Sequence, residues 1–438
     1  MLTDKTFARP VPPRPPVGDN GQVTSPTRSE DLTALIRERC ATLRSPRVVT
    51  SGNAAVPHTL LALVDSVVPR YRLNILNAPK GIPVRDGVIP ETSFVGSGMR
   101  HSPTLAYVPA RLSMVPTLFS RTLHPDIVLV HTSKPIAGKV SLGIEVNVIP
   151  AAIEAVRRRG GLVLAQVNET MPYTYGDGEY ELDFFDGWIE ADDVLARPAS
   201  TPPTGERAES AAVIGDYCAS RVQSGATLQL GIGEIPDATL PGLTRLRDLG
   251  LWTEMFSDRL LTLHRAGALD PERYLIASFM AGSEELLTWV DQNKQIRMLR
   301  TETVNSPANV ARQPGMTSIN TALQVDLFAQ ANASRRKARI HSGFGGQTDF
   351  IVGALHAPGG QAIMALRSWH PKANVSTIVP LIEEPVTSFQ PSVVITEQGV
   401  AEVGGRTERA QARAIIDNAA HPSVREELWE EAGYLGLA

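Results

Sequence analysis

One glutamate in this sequence stands out because of its surroundings. Glu254 lies within LGLWTEMFSDRLL, a strand-like stretch that is otherwise mostly apolar, next to Trp252 and Met255. A carboxylate is seldom buried unless it is paired or has a chemical task. The residues alone leave two interpretations: a carboxylate that takes part in catalysis, or a glutamate that is salt-bridged or lies on an edge strand.

Two glycine-rich stretches offer bare backbone to a ligand. IHSGFGGQTDFIVGA spans residues 340–354, and GIG occupies residues 231–233. Neither has the GxGxxG spacing of a dinucleotide fold, and GFGG lacks the Lys-Ser/Thr that follows a P-loop. Exposed backbone N–H groups in such stretches suit a phosphate or an oxyanion. The alternative is that both stretches are tight turns at the ends of strands.

Other chemical motifs are scarce. The sequence has no GxSxG nucleophile elbow and no HExxH motif, and its nine histidines occur singly. Its two cysteines, Cys40 and Cys218, form no CxxC motif and no metal-type pairing with histidine. We therefore predict a reducing compartment and neither a metal site nor a redox site. The run RRKAR at residues 335–339 is either a phosphate-binding segment or a solvated loop.

The overall composition excludes several classes of partner. Of the 438 residues, 42% are hydrophobic and 20% are charged, with a net charge of -4. This balance gives no electrostatic footprint for nucleic acid or for an anionic membrane. No apolar run approaches the roughly 18 residues of a membrane span, and MLTDKTFARP lacks the features of a signal peptide. We expect a soluble, cytoplasmic protein.

The elements that must position these residues follow an alternating pattern. Short β-branched runs are predicted strands, and they alternate with apolar-periodic segments that are predicted helices. The predicted strands include RVVTSG, IVLVHTS and LVLAQV, and the predicted helices include SEDLTALIRERC, VIPAAIEAVRRRGG and SVREELWEEAG. This alternation predicts an α/β fold with mostly parallel sheets covered by helices.

Length and local composition divide the chain into parts. A chain of 438 residues is long for one core, so we predict two domains. The proline-rich residues 1–22 are predicted to form an extended arm. RPASTPPTGERAE, at residues 197–209, is the predicted linker. The predicted domains are an N-terminal α/β domain at 23–205 and a C-terminal α/β domain at 206–438.

The two halves share a short pattern. SGNAAVPHTLL at residues 51–61 and LGIGEIPDATL at residues 230–240 each run from a strand into a glycine and reach a proline five residues later. An apolar helix follows in both, and proline suits the first turn of a helix, where its missing N–H is not needed. This favours an internal duplication, with a chance match as the alternative.

An ordered set of motifs resembles the acetyl-CoA hydrolase/transferase family. These are family I coenzyme A transferases, and they include 4-hydroxybutyrate-type and acetate-type enzymes. The resemblance runs from about Ser51 to Leu428 and is densest after Leu230. In chain order the motifs are GIGEIPDA, WTEMFSD, VNSPANV, INTALQVDL, SGFGGQTDFIVGA, STIVP, VVITEQGVAEVGG and AAHPSVREEL.

This resemblance implies a fold and a nucleophile. It implies two α/β domains of related CoA-transferase-like fold, with the active site in the interdomain cleft. Glu254 would attack an acyl-CoA thioester to form an acyl-glutamyl anhydride and then a glutamyl-CoA thioester. With a reference pKa of about 4.3, a glutamate is ionised at neutral pH and needs no base. The resemblance also implies backbone donors for the oxyanion, from Ile232 or Gly233 and from Gly345 or Gly346.

Further contacts follow from the same resemblance. Asn305, Gly343 and Gln347 would lie at the coenzyme A site, and coenzyme A would enter as the acyl-CoA substrate. Asp349 follows the family's GGQxDF pattern, but it is equally explained as a helix cap. Tyr173 in MPYT replaces an arginine that many relatives carry, and it would face the substrate acid. No permanently bound cofactor and no metal are expected.

Several departures from the family pattern leave the substrate acid open. The chain has SDR where relatives carry SDG, ALRSWHP where they carry ALPST, and no His-Gly before the serine in HTSKPIAGKVSLG. The favoured function is an acyl-CoA:carboxylate CoA-transferase. The alternatives are an acyl-CoA hydrolase, in which water replaces the acceptor acid, and a CoA-binding regulator without turnover. The expected partners are acyl-CoA and a small carboxylic acid, with neither nucleic acid nor membrane. A homo-oligomer, either a dimer or a tetramer, is expected because relatives are commonly homo-oligomers.

Overall fold

The computed structural model describes residues 25–195, 203–231 and 233–438. The chain divides into two compact units, each made of two segments. The first unit contains Met1–Pro198 and Ile276–Val304, and the second contains Ala199–Leu275 and Asn305–Ala438. The predicted arm at 1–22 lies outside the described residues. The predicted domains at 23–205 and 206–438 stay a prediction, and they differ from these units in the placement of Ile276–Val304.

The α-helices are interspersed with the strands along the chain, as the alternating pattern predicts. They begin and end at the following residues: α1 Ser29–Cys40, α2 His58–Val67, α3 Val115–Arg121, α4 Ile149–Arg157, α5 Glu206–Ser220, α6 Glu234–Leu243, α7 Arg259–Arg265, α8 Glu284–Val290, α9 Thr301–Val304, α10 Pro307–Val310, α11 Gln347–His356, α12 Glu408–Asn418 and α13 Arg425–Tyr434.

A parallel sheet forms the centre of the first unit. Its strands follow the order β4-β3-β2-β1-β5-β7-β9, and each neighbouring pair is parallel. The short strands β6 and β8 form a separate antiparallel pair. The strands are β1 Arg47–Thr50, β2 Tyr71–Asn74, β3 Val88–Thr92, β4 Ala106–Tyr107, β5 Ile127–Thr132, β6 Lys139–Ser141, β7 Leu162–Val167, β8 Glu179–Glu181 and β9 Gly187–Glu190.

Burial explains why the central strands read as continuous apolar runs. Every residue of β5 and of β7 is buried. A parallel sheet is covered by helices on both faces, so its strands do not alternate between apolar and polar residues. The predicted strands IVLVHTS and LVLAQV are confirmed by β5 and β7.

The second unit is built around a sheet with the order β11-β10-β16-β21-β25-β26. Its pairs are parallel except for β25 and β26, which form an antiparallel hairpin at one edge. From residue 227 onward the strands are β10 Thr227–Leu230, β11 Gly250–Leu251, β12 Met255–Phe256, β13 Leu275–Ala277, β14 Phe279–Met280, β15 Ile296–Met298, β16 Thr317–Asn320, β17 Gln324–Asp326, β18 Ala331–Asn332, β19 Arg335–Arg336, β20 Arg339–Ile340, β21 Gln361–Ala365, β22 Trp369–His370, β23 Val375–Ser376, β24 Ile378–Val379, β25 Val393–Thr396 and β26 Gly399–Glu402. Of these, β14 and β15 belong to the first unit, and β13 runs from Leu275 into the Ile276–Val304 segment of that unit.

The core of the second unit joins its sheet to helices α11 and α12. Ile351 of α11, Met364 of β21 and Val394 of β25 belong to one cluster of fully buried apolar side chains, which also includes Ile415 of α12. The predicted α/β class with mostly parallel sheets is therefore confirmed. No helix in the described ranges is both long and apolar enough to cross a membrane.

The second unit brings two of the sequence motifs to one edge of its sheet. The carboxyl ends of parallel strands lie at the same edge, where ligand sites of α/β sheets are found. Strand β10 leads into the GIG turn, and its parallel neighbour β11 leads into WTEMFSD. The pairing continues past β11, because the backbone N–H of Trp252 donates to the Leu228 carbonyl at 3.1 Å.

Candidate active site

Glu254 lies just beyond the carboxyl end of β11, between Thr253 and strand β12. Its neighbours Trp252 and Phe256 are buried, whereas Glu254 itself remains partly exposed. The buried apolar residues around it thus anchor this segment. The Glu254 carboxylate is therefore largely desolvated, although part of the residue remains exposed to solvent.

Two donors from distant parts of the sequence contact this carboxylate. Nδ2 of Asn305 donates to Oε2 of Glu254 at 3.0 Å, and the backbone N–H of Gly346 also donates to the carboxylate. The Asn305 side chain is fully buried, so its amide is held in place. Hydrogen bonds to an ionised acceptor are about twice as strong as neutral ones. Glu254, Asn305 and Gly346 therefore form one hydrogen-bonded cluster, which we call the glutamate cluster.

The surroundings of Glu254 change its acidity. Burial is the largest effect and, with the nearby Asp349 carboxylate, it raises the pKa of Glu254 to about 7, although the bonds from Asn305 and Gly346 act in the opposite direction. Desolvation disfavours the charged form of a carboxyl group, and so does a neighbouring negative charge. The ordinary glutamate pKa expected from the sequence is therefore wrong for the folded protein. More of the Glu254 carboxyl groups are therefore protonated near neutral pH than in a solvent-exposed glutamate.

Gly346 has no room for a side chain. It is the residue that precedes α11, and its φ of −96° is one that any residue can adopt. A Cβ atom built on it would overlap Oε2 of Glu254 and Nδ2 of Asn305. Glycine is needed here because the carboxylate approaches the main chain, whereas Gly345 has a φ of 59° and so needs glycine for its backbone conformation.

The other residues of the SGFGGQTDF motif lie around this point. Gly343 is in the loop between β20 and α11. Nε2 of Gln347 donates to the Thr321 carbonyl at 3.2 Å, so this side chain is used to tie α11 to the chain after β16. Asp349 is buried in the first turn of α11. The negative charge of Asp349 helps to raise the pKa of Glu254. The sequence pattern alone did not indicate this effect.

The structure describes Gly231 and Gly233 of the GIG turn. Gly233 precedes α6 and has a φ of 118°, a conformation open to glycine but strained for other residues. Ile232, one of the expected oxyanion donors, lies outside the described residues. The role of Ile232 or Gly233 as an oxyanion donor stays a prediction.

Tyr173 belongs to the first unit, where its side chain is buried. Its hydroxyl donates to Oε1 of Glu179 at 2.9 Å, and its backbone N–H donates to Oδ1 of Asp291 at 2.7 Å. Burial, together with the bond to Glu179, raises the pKa of the Tyr173 phenol. The hydroxyl is thus a neutral donor that is engaged within its own unit, and its contact with the substrate acid stays a prediction.

The basic run at 335–339 forms a hairpin. Strands β19 and β20 pair in antiparallel fashion, and Lys337 and Ala338 make the turn with positive φ values of 50° and 61°. The run is thus a defined turn rather than an irregular loop, and its phosphate-binding interpretation stays a prediction. In the part of the chain that the structure describes, no cluster of three histidine, cysteine, aspartate or glutamate side chains is arranged to hold a metal ion.

Comparison with known proteins identifies relatives across most of the chain. Residues 282–432 match the family described as acetyl-CoA hydrolase/transferase C-terminal domain. The chain is 37% identical over 353 residues to 4-hydroxybutyrate coenzyme A transferase of Clostridium kluyveri, a match that covers 77% of this chain and 80% of the relative.

Solved structures give the same result for the fold. The crystal structure of a 4-hydroxybutyrate CoA-transferase from Porphyromonas gingivalis is 28% identical, with a TM-score of 0.74 over 93% of this chain and 100% of the other. RipA from Yersinia pestis, at 24% identity, has a TM-score of 0.83 over 94% of this chain and 100% of its own. The family and the CoA-transferase class of enzyme predicted from the order of the motifs are confirmed, and the chain belongs to the acetyl-CoA hydrolase/transferase family.

Proposed function

We propose that this protein is an acyl-CoA:carboxylate CoA-transferase in which Glu254 is the nucleophile. The observation that carries the proposal is the glutamate cluster, in which one carboxylate meets a buried amide donor and a bare main-chain N–H. The 37% identity to a 4-hydroxybutyrate coenzyme A transferase supports the choice of reaction.

The reaction begins with attack of a Glu254 oxygen on the thioester carbon. The carbon–sulfur bond breaks, coenzyme A leaves as a thiolate, and an acyl-glutamyl anhydride remains. The thiolate then attacks the glutamyl carbonyl carbon, the anhydride bond breaks on that side, and the donor acid leaves as a carboxylate. This gives a glutamyl-CoA thioester, which an acceptor carboxylate converts to the new acyl-CoA by the reverse steps.

The two donors of the glutamate cluster fit the step in which the glutamyl carbonyl itself becomes tetrahedral. Oε2 of Glu254 accepts from Asn305 in the free protein, and Gly346 donates to the same carboxylate. If Oε2 becomes the oxyanion of the second tetrahedral intermediate, Asn305 is already directed at the atom that gains charge, and Gly346 already donates to the same carboxylate. A donor of this kind is typically worth about 2.7 to 4 kcal/mol of transition-state stabilisation.

Asn305 offers a further contact for coenzyme A. Its Oδ1 atom is buried and has no hydrogen-bond partner among the described residues. A buried acceptor without a partner costs roughly 1 to 3 kcal/mol, so a ligand that supplies a donor gains affinity. The amide N–H groups of the pantetheine arm are donors of this kind. Binding energy from that arm, remote from the thioester, contributes to catalysis at the reacting carbon.

Chemical trapping tests the nucleophile directly. The protein is incubated with acetyl-CoA and then with borohydride, which reduces a thioester, and the peptides are mapped by mass spectrometry. We expect a reduced adduct on the peptide that carries Glu254, and none in the Glu254→Gln variant. An adduct on another residue would refute the assignment. No adduct in the unmodified protein, after a panel of acyl-CoA donors, would favour a CoA-binding regulator.

Hydrolysis of acyl-CoA is a second candidate because Glu254 remains partly exposed. Water that reaches the same anhydride or glutamyl thioester would replace the acceptor acid. Free thiol release is measured with and without acetate, succinate or 4-hydroxybutyrate. Release that needs no acceptor, at a rate equal to that of transfer, would identify a hydrolase.

A further inference from the structure

Arg259 joins the glycine turn to the segment that carries Glu254. It is the first residue of α7, five positions after Glu254. One Nη1 N–H donates to the Gly231 carbonyl at 3.1 Å, and one Nη2 N–H donates to the Gly233 carbonyl at 2.9 Å. Its Nε forms an ion pair with Asp237, in the first turn of α6. Only 11% of the Arg259 side chain is exposed.

The shape of the guanidinium group suits this set of partners. Arginine presents five N–H donors in a rigid plane, whereas lysine presents one compact ammonium on a flexible stem. The three partners Gly231, Gly233 and Asp237 all lie on one short segment that runs from the turn into α6. The planar guanidinium of Arg259 therefore binds the glycine at each end of the turn and, through Asp237, the helix that follows.

The turn needs such a restraint. Glycine has the greatest backbone freedom of any residue, and among the described residues other than its chain neighbours none has an atom within 4 Å of where a Cβ of Gly233 would stand. Packing against a side chain at this position cannot hold the turn. A peptide group is planar, so a bond to a carbonyl oxygen also fixes the direction of the peptide plane to which it belongs. The bond to the Gly233 carbonyl thereby fixes the peptide plane that follows Gly233, and the bond to the Gly231 carbonyl holds the chain just before residue 232.

We propose that Arg259 is a positioning residue that holds the Gly231–Gly233 turn in register with Glu254. These bonds form a clamp and give a task to the arginine of SDR, which departs from the family pattern that the sequence resembles. The proposal rests on the proposed function, because the turn matters for catalysis only as a source of backbone donors to the reacting carbonyl. Arg259 acts through the turn and does not itself touch the substrate.

Kinetic comparison of three variants tests this role. Arg259→Gly removes the clamp, Arg259→Lys keeps the charge without the planar fork, and Asp237→Asn weakens the ion pair. With acetyl-CoA as donor and 4-hydroxybutyrate as acceptor, we expect kcat to fall about tenfold to a hundredfold for Arg259→Gly, with KM for acetyl-CoA within about threefold. The kcat values of Arg259→Lys and Asp237→Asn should lie between those of Arg259→Gly and the unmodified protein.

Arg247→Ala is the matched control. This arginine belongs to the same unit and donates from Nη1 to the Thr244 and Leu246 carbonyls, but it bonds no part of the GIG turn. Its kcat and KM should both stay unchanged. A wild-type kcat for Arg259→Gly, or a change confined to KM, would overturn the proposal. If Arg259→Gly does not fold, the same decision rests on Arg259→Lys and Asp237→Asn.

Hydrogen exchange provides a readout that does not depend on turnover. The peptide that covers residues 228–240 should exchange faster in Arg259→Gly than in the unmodified protein and in Arg247→Ala, at equal melting temperature. Unchanged exchange in this peptide would refute the clamp. If the unmodified protein catalyses no transfer but the 228–240 peptide still exchanges faster in Arg259→Gly, the proposed function is refuted and the restraint of the turn by Arg259 is supported.

Discussion

Nδ2 of Asn305 lies 3.0 Å from Oε2 of Glu254, although 51 positions separate the two residues in the sequence. The bond stabilises the ionised carboxylate, whereas burial destabilises it. Together with the N–H of Gly346, it sets how much of the nucleophilic form is present at a given pH.

The first prediction concerns the pH dependence of turnover. The ionised form of Glu254 is the nucleophile, and its pKa is about 7. We therefore expect kcat/KM for acyl-CoA to rise with pH through a midpoint near 7 and then to level off. Because Asn305 lowers this pKa, Asn305→Ala should move the midpoint to higher pH. Asn309→Ala, in the same segment, should leave it in place, and a midpoint near 4 in the unmodified protein would contradict the prediction.

The second prediction concerns the bare backbone at Gly346. A methyl group there would overlap Glu254 and Asn305, whereas the φ of −96° permits alanine. Gly346→Ala should therefore reduce kcat at least about a hundredfold, while circular dichroism and melting show a folded protein. Gly433→Ala is the control, because a Cβ at Gly433 would meet no atom within 4 Å. Equal turnover in both variants would show that the close approach is not required.

The third prediction is a stability cost at Glu254. The folded protein holds a proton on this group up to a pH of about 7, whereas the unfolded chain releases it near 4.5. The folded state binds more protons in that window, so this group lowers the free energy of unfolding as the pH rises. Glu254→Gln should be more stable than the unmodified protein at pH 8, by at most about 3 kcal/mol. Denaturant titrations at pH 4 and pH 8 measure the free energy of unfolding of both proteins. The same stability difference between the two proteins at both pH values would contradict the prediction.

The fourth prediction concerns His131, which makes the free energy of unfolding fall as the pH drops, the opposite of the effect of Glu254. Nδ2 of Asn168 lies 3.0 Å from Nε2 of this buried ring, and Nδ1 lies 3.3 Å from the Ala55 carbonyl. Burial lowers the pKa of His131 from 6.5 to about 4, although the nearby carboxylates Asp192 and Asp193 act against this and His58 acts with it. Between these values the unfolded chain binds the extra proton.

The free energy of unfolding should therefore fall as the pH drops from 6.5 towards 4, with about 3 kcal/mol as the upper bound for this group. His131→Gln keeps a neutral polar side chain and should lose this part of the pH dependence. The measurement is the difference in unfolding free energy between the two proteins across the window. A difference that does not vary with pH would refute the prediction.

The parts of the fold that depend on local pattern were predictable from the sequence. SEDLTALIRERC is helix α1 from its first to its last residue, and the apolar runs IVLVHTS and LVLAQV contain β5 and β7. These segments are decided by periodicity and by burial on both faces of a parallel sheet. The family motifs also named Glu254, Asn305 and Gly346, which the fold gathers into one cluster.

Other features depend on contacts between residues far apart in the sequence. The linker composition gave no sign that Ile276–Val304 belongs to the first unit. A reference pKa cannot include the burial of Glu254 or the nearby charge of Asp349. The departure at SDR marked Arg259 as unusual, but its task follows only from the positions of the Gly231 and Gly233 carbonyls.

The division of each unit into two chain segments has a consequence for biosynthesis. A ribosome that has completed residue 275 has produced the whole first segment of each unit, yet the first unit still lacks Ile276–Val304. Domains generally fold as units during translation, and incomplete ones expose apolar surface. Nascent chains of this protein should consequently remain dependent on chaperones past the midpoint of synthesis, and a single cut in the gene cannot yield two self-sufficient fragments.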